Sequence, residues 1–370
     1  MVLNKIRSIL NPPKIKNWYQ KYENRISSLA LVFGFVLDNL SLGRVDALAD
    51  QLILSIYILI SGFCIIMLSL YESDSIKEKI RGRMHFWMTL FMQFSLGALF
   101  SAFVVFYTRS STLESSWPFL LLLVIYLLGN EFLKKHYEKF SFRVSVYFFA
   151  LLSYLIITIP ILLNSIDRWV FIVSSIVTII IFILFLWFTE IVSKISLKSN
   201  KKVIAQNALV ILVIVNIFYF LNLIPPLPLI QKDAGVYHNL KQTGDGGYLV
   251  DEEIYNRFNN FLSGNVFHRY NFEPVYIMTA IYSPIDLNIN ITHNWQKFDN
   301  KSNKWITISN INVPIRGGRQ DGYRLYSVKS NVAEGLWRVN VLTSDHRVIG
   351  RLKFDVKNVA EPFKVSRINK

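Results

Sequence analysis

Seven apolar runs, near residues 27–42, 50–71, 86–107, 117–133, 144–164, 169–190 and 203–224, constrain this chain more than any other feature. Most approach the roughly 20 residues that cross a bilayer as a helix. Each reads as helix, because hydrocarbon offers no partner to a free backbone N–H or C=O. Trp87, Trp117 and Trp169 stand at run ends, where amphipathic rings suit the membrane interface. The first run follows a long basic lead and contains Asp38-Asn39, which sets it apart from a cleaved leader.

The loop charges predict orientation. Residues 1–25 and the loops at 72–85, 134–143 and 191–202 together hold eighteen Lys and Arg, against Arg44, Arg109 and Arg168 in the intervening connections. Basic loops stay cytoplasmic, so seven spans place the N-terminus inside and everything after Pro225 outside. The net charge of +15 is then a signature of topology, not of nucleic-acid binding. Cys64 is the single cysteine, so neither an internal disulfide nor a cysteine metal cluster is available.

At Leu223-Ile224-Pro225-Pro226-Leu227-Pro228-Leu229 the composition changes. Proline lacks the N–H that a helix needs, so the last run stops here. Residues 225–272 read as a Pro-rich spacer and one short amphipathic helix, with Asp251 as N-cap and Ile254, Phe258, Phe261 and Leu262 on one face. From residue 273 the apolar period becomes two. Ile289, Ile291, His293 and Trp295 share a face, and so do Trp337, Val339 and Val341. Val348, Gly350, Leu352, Phe354 and Val356 alternate with Arg347, Arg351, Lys353 and Asp355 on a solvated face. A parity switch from Ile306 and Ile308 to Ile311, Val313 and Ile315 predicts a bulge or corner near Ser309-Asn310. Several short strands at regular spacing predict an antiparallel sandwich over 273–358, followed by a tail at 359–370.

Within this region Thr292-His293-Asn294-Trp295, Pro314-Ile315-Arg316-Gly317-Gly318-Arg319, Gly322-Tyr323-Arg324, Gly335-Leu336-Trp337-Arg338-Val339-Asn340-Val341 and Ile349-Gly350-Arg351-Leu352-Lys353-Phe354-Asp355-Val356 form a set. The set resembles the DUF2914 family over roughly residues 235–357. The resemblance implies a bacterial envelope protein with an immunoglobulin-like β domain behind a multi-span region. It implies no activity.

The fold class expected is therefore a seven-helix membrane bundle over residues 26–224, followed by an all-β immunoglobulin-like sandwich outside the cell membrane. Candidate ligand-binding residues are Arg316, Arg319 and Arg324, whose guanidinium groups around a glycine turn suit carboxylate or phosphate. His293 and Trp295 join them, although a lone histidine on an apolar strand face is more often a hydrogen-bonded core residue. Trp305 or Tyr323 offers a ring for stacking on a sugar. Asp38 and Asn39 are the polar candidates at membrane depth. No catalytic motif, metal-ligand spacing or cofactor fingerprint stands out. The expectation is a non-catalytic binding or sensing protein, with the bilayer and an envelope protein or glycan as partners and no nucleic acid. The alternative is a transporter or membrane enzyme with its site near Asp38.

Overall fold

In the computed structural model, residues 35–370 are described except 37, 44, 73–77, 111–112, 133–135, 138, 194–199, 245–246, 255–264, 284–288 and 316–318. The apolar runs within them are helices: α1 Leu48–Glu72, α2 Glu78–Ser110, α3 Leu113–Phe132, α4 Phe140–Leu162, α5 Arg168–Ser193 and α6 Lys201–Phe220. Among the described residues, five apolar stretches are long enough to cross a membrane: Leu48–Glu72, Trp87–Arg109, Phe140–Leu162, Arg168–Ser193 and Lys201–Phe220. A shorter one spans Ser116–Asn130. The first run lies mostly outside the described residues.

The chain forms two compact units. The first comprises Met1–Val105, Leu121–Tyr154 and Thr178–Ile211. Its helices pack through aromatic side chains, with Tyr126 4.2 Å and Phe100 5.7 Å from the Phe149 ring centroid. Gly62 permits α1 to approach α4, since a Cβ there would meet the Tyr147 hydroxyl at 2.9 Å. Several polar groups are paired inside this unit. Asn130 donates to the Gln93 carbonyl at 2.7 Å and accepts from the Tyr137 hydroxyl at 2.7 Å. Arg143, counted among loop charges in the sequence, is 1% exposed and grips both oxygens of Glu72 at 2.8 Å. The α4 helix begins at Phe140, early enough to carry Arg143 into the packed region.

The second unit comprises Phe106–Leu120, Leu155–Val177 and Leu212–Lys370. It holds the strands β1 Ile230–Tyr237, β2 Asn239–Gln242, β3 Tyr248–Glu253, β4 Val266–Tyr270, β5 Val275–Ser283, β6 Ile289–Asp299, β7 Lys304–Ile315, β8 Arg319–Lys329, β9 Gly335–Thr343, β10 Val348–Val359 and β11 Val365–Asn369. They make three sheets, ordered β1-β5-β8, β4-β10-β9-β6-β7 and β11-β3-β2. Period-two alternation supplies the core. Ile277 and Val275 of β5 meet Trp295 of β6, Trp337 and Val339 of β9, and Leu352, Phe354 and Val356 of β10.

Four expectations change. Residues 225–272 contain strands, not only a spacer. Asp251 lies within β3, where Arg367 of β11 pairs with both its oxygens at 2.7 and 3.0 Å. Cross-strand pairing takes the place of the N-cap there. The helix expected at 254–262 falls almost wholly outside the described residues. The tail expected at 359–370 supplies β11, which pairs with β3 from Val365↔Glu253 to Asn369↔Leu249. Strand β4 runs parallel to β10, so the five-stranded sheet is not wholly antiparallel.

The expected bulge is present. Trp295 faces Ser309, but Gln296 faces Thr307, so Ile308 is the extra residue. A second irregularity between Val348 and Gly350 shifts the start of β10. Arg347 precedes it and is 5% exposed, not on the solvated face.

Candidate functional site

Strands β6, β9 and β10 turn their apolar phase inward. Their other phase forms the outward face of the five-stranded sheet, and it is unusually rich in amides and guanidinium groups. One row crosses four strands: Asn310 on β7, Asn294 on β6, Asn340 on β9 and Arg351 on β10. Asn294 donates to Asn310 Oδ1 at 2.6 Å, and Asn340 to Asn294 Oδ1 at 3.3 Å. Arg351 Nε donates to Asn340 Oδ1 at 2.7 Å. The next row holds Thr307, Gln296, Arg338 and Lys353. Arg338 Nε donates to Gln296 Oε1 at 2.6 Å, and Gln296 Nε2 to the Thr307 hydroxyl at 3.0 Å.

Beyond these rows Phe298 faces Trp305 across the hairpin, ring centroids 5.2 Å apart. The Arg338 guanidinium carbon lies 4.4 Å from the Trp305 centroid. The Ile308 bulge sets this arrangement. Without the extra residue, Thr307 and Trp305 would point to the opposite face, because a one-residue slip inverts every side chain beyond it. Adjacent strands lie about 4.8 Å apart, so four strands span roughly 14 Å. The result is a strip of mutually hydrogen-bonded side chains, with Asn294 and Asn340 buried at its centre, Asn310, Thr307 and Lys353 exposed, and one cation-backed indole beside them.

The expected site residues take varied positions. Trp295 has no exposed surface, and its indole N–H donates to the Ser327 hydroxyl at 3.0 Å. His293 is equally buried, between the Thr279 hydroxyl at 3.0 Å and the Ser327 hydroxyl at 2.9 Å. Burial in this apolar setting pushes the imidazole down to about 4. Both side chains thus belong to the core behind the polar face. Arg316 falls outside the described residues. Arg319 opens β8 in register with Ser283, and Arg324 is half-buried in register with Ala280. Gly322 between them has φ of +84°, at an irregularity of β5 and β8. Asp38 is half-buried and Asn39 exposed, in a short helical stretch before α1.

Two further clusters were not legible in the sequence. The first joins His238 and His268 to Glu253 and Glu273. His238 Nδ1 lies 2.7 Å from Glu273, and its Nε2 lies 3.1 Å from Glu253. His268 Nδ1 lies 2.8 Å from the other Glu253 oxygen. Among the described residues no group of three His, Cys, Asp or Glu has the arrangement to hold a metal ion.

The second cluster lies in the second unit, where the β9–β10 turn meets the α4–α5 loop. Arg168 donates to the Asp345 carbonyl at 3.2 Å, and Arg347 donates to the Ile166 carbonyl. Ile166 itself enters a core cluster with Ile281, Ile291, Val341 and Ile349. Arg347 also lies 5.3 Å from the Tyr219 ring centroid. A cavity of about 20 Å³ sits beside these residues, lined by Tyr107, Tyr219 and Arg347 among apolar side chains. That is room for a single water. The Tyr107 and Tyr219 hydroxyls and Arg347 Nε are buried without a partner in the protein, the groups that such a water would join.

The structural class is therefore a polytopic helical protein of membrane type with a β-rich C-terminal region. Residues 288–356 match the family described as a protein of unknown function, DUF2914, so that region carries a DUF2914 domain. The match takes in β6 to β9 and most of β10, including the whole amide row. No curated protein matches the chain. Among solved structures, the alkylpurine DNA glycosylase AlkC of Pseudomonas fluorescens, bound to DNA containing an abasic site analog, aligns with 85% of this chain and 100% of its own. Its identity is 8% and its TM-score 0.22, and a likeness at that level carries no argument.

Proposed function

We propose that the protein is a non-catalytic binding or sensing protein of a bacterial cell envelope, and that the outward face of its five-stranded sheet binds a polyhydroxylated ligand, an envelope glycan. Seven spans with a cytoplasmic N-terminus and an outer immunoglobulin-like domain complete this reading. The eighteen-to-three asymmetry of basic loop residues supports the orientation.

One observation carries the binding assignment: the Asn310–Asn294–Asn340–Arg351 row beside Trp305. An amide presents both donor and acceptor, and so does each sugar hydroxyl. Guanidinium forks take two neighbouring acceptors at once. An indole offers an apolar face to the C–H side of a pyranose ring. The contacts already made among these side chains hold them in place, which lowers the ordering cost of binding.

The test is equilibrium binding of envelope polysaccharide fragments to the full chain in nanodiscs. Saturable binding that falls at least tenfold in Trp305→Ala and Asn340→Ala is expected. Binding that survives both changes would place the ligand elsewhere, and no binding to any fragment would remove the glycan assignment. Labelling of single cysteines introduced at exposed Lys301 and at basic Lys202, in intact cells, tests orientation: only the first should react with an impermeant reagent.

A further inference from the structure

Outside the sheet face, one cluster imposes a chemical requirement. His238 is the residue between β1 and β2, and its ring stacks on Phe267 of β4 with centroids 4.4 Å apart. Both ring nitrogens face carboxylates. A neutral imidazole has only one N–H, and an ionised carboxylate has none.

The carboxylates are already acceptors. Glu253 is 2% exposed. Its Oε1 accepts from the His268 backbone N–H at 2.6 Å, and its Oε2 faces His268 Nδ1 at 2.8 Å. Glu273 Oε1 accepts from the Tyr270 backbone N–H at 3.1 Å. Backbone donors favour the ionised form. The two hydrogen bonds to His238 therefore need a proton on each ring nitrogen.

The corner that carries Glu273 is built for the purpose. Asn271 and Phe272 have φ of 45° and 58°, and a bulky residue rarely takes such a value. Arg269 holds the corner by donating to the carbonyls of Phe272 and Ser330 at 2.8 Å, of Glu273 at 2.9 Å, and of Val332. Other charged groups near the cluster are Lys357 of β10, in register with His268, and the Asp251–Arg367 pair on β3 and β11.

We propose that His238 is an imidazolium clasp that fastens the β11-β3-β2 sheet to β4 and the Glu273 corner, and that loss of one proton releases it. Burial opposes the charged ring, but the hydrogen bonds and charges of Glu253 and Glu273 prevail and raise His238 above its ordinary value of 6.5. A raised folded value means that the clasp's contribution is full below about 6.5 and is lost as pH rises through the raised folded value. The outer β region thus has an alkaline release built into one side chain, independent of any ligand on the sheet face.

The experiment is a pH titration of the full chain in nanodiscs with ¹⁵N-labelled histidine, the His238 signal being assigned with His238→Gln. Hydrogen exchange is followed on the same samples. Two protonated ring nitrogens are expected for His238 below about pH 6.5, with a deprotonation midpoint above that ordinary value. Exchange protection of β2 and β3 should fall with the same midpoint as its deprotonation. Glu273→Gln should move that midpoint down while the chain stays folded, which keeps the test decisive if His238→Gln does not fold. A deprotonation midpoint below about 6.5, or protection that ignores the deprotonation, overturns the proposal.

Discussion

Arg338 lies over Trp305, its guanidinium carbon 4.4 Å from the indole centroid, while its Nε donates to Gln296 at 2.6 Å. The contact spans three strands and fixes the indole at the edge of the amide strip. A partly exposed cation–π contact contributes about 0.5–1 kcal/mol, so Arg338→Ala should barely change thermal stability. Glycan affinity should fall about tenfold, equivalent to roughly 1.4 kcal/mol. Arg338→Lys keeps the charge but loses the planar fork, and should recover only part of the affinity. Titration calorimetry against polysaccharide fragments separates the two variants.

His293 predicts an acid limb. Its folded value, about 4, lies below the ordinary 6.5 because the ring is buried. As pH falls, the unfolded chain takes up the proton first, so stability is full above about 6.5 and is lost toward 4. The full effect is on the order of 3 kcal/mol. Chemical denaturation from pH 7 to 4 should show it, and His293→Gln should flatten that limb even if it lowers stability overall. A wild-type profile flat across this window contradicts the buried neutral ring.

These features differ in how openly the sequence carried them. The alternation of Trp337, Val339 and Val341 and the parity switch after Ile308 are local, and strands at those positions with a bulge between follow from them. The polar face was equally periodic, but in the other phase. Thr292, Asn294 and Gln296 interleave with Ile291, His293 and Trp295, and the apolar phase drew the candidate sites into the core. The His238 cluster had no local trace, because Glu253 and Glu273 stand 15 and 35 residues away. Asp251 followed an apolar triplet and preceded helically spaced residues, so only its partner Arg367, 116 residues on, reveals the strand.

Arg347 and Tyr219 should respond differently to substitution. Arg347 donates to the Ile166 carbonyl and has Asp345 only at 3.9 Å, and burial pulls its guanidinium below its ordinary value. Arg347→Ala removes a buried donor and leaves that carbonyl unpaired, a cost of about 1–3 kcal/mol. The β9–β10 turn should then become accessible to protease in the folded protein. Tyr219 keeps a hydroxyl without a protein partner beside the small cavity. Tyr219→Phe should change stability by less than about 1 kcal/mol, with protease resistance retained. Equal sensitivity in both variants would mean that the water-sized cavity, not the guanidinium, holds the turn.

Arg143 and Glu72 form a two-pronged ion pair between α4 and α1, with Arg143 1% exposed and Glu72 32% exposed. The geometry is strong, yet taking a guanidinium from water costs several kcal/mol, which the attraction must first offset. The pair as a whole is therefore worth little, while breaking it is expensive. Glu72→Gln leaves a buried cation against a neutral amide and should lower stability by about 3–5 kcal/mol. Arg143→Met alone frees a carboxylate that already has partial access to water, so its cost should be smaller. Arg143→Met combined with Glu72→Leu should come back close to the parent, because two apolar side chains of similar volume need no partner. Thermal unfolding of the four chains in nanodiscs gives the coupling energy directly. If the double variant is as unstable as Glu72→Gln, the ion pair itself, and not the avoidance of an unpaired charge, is what joins the two helices.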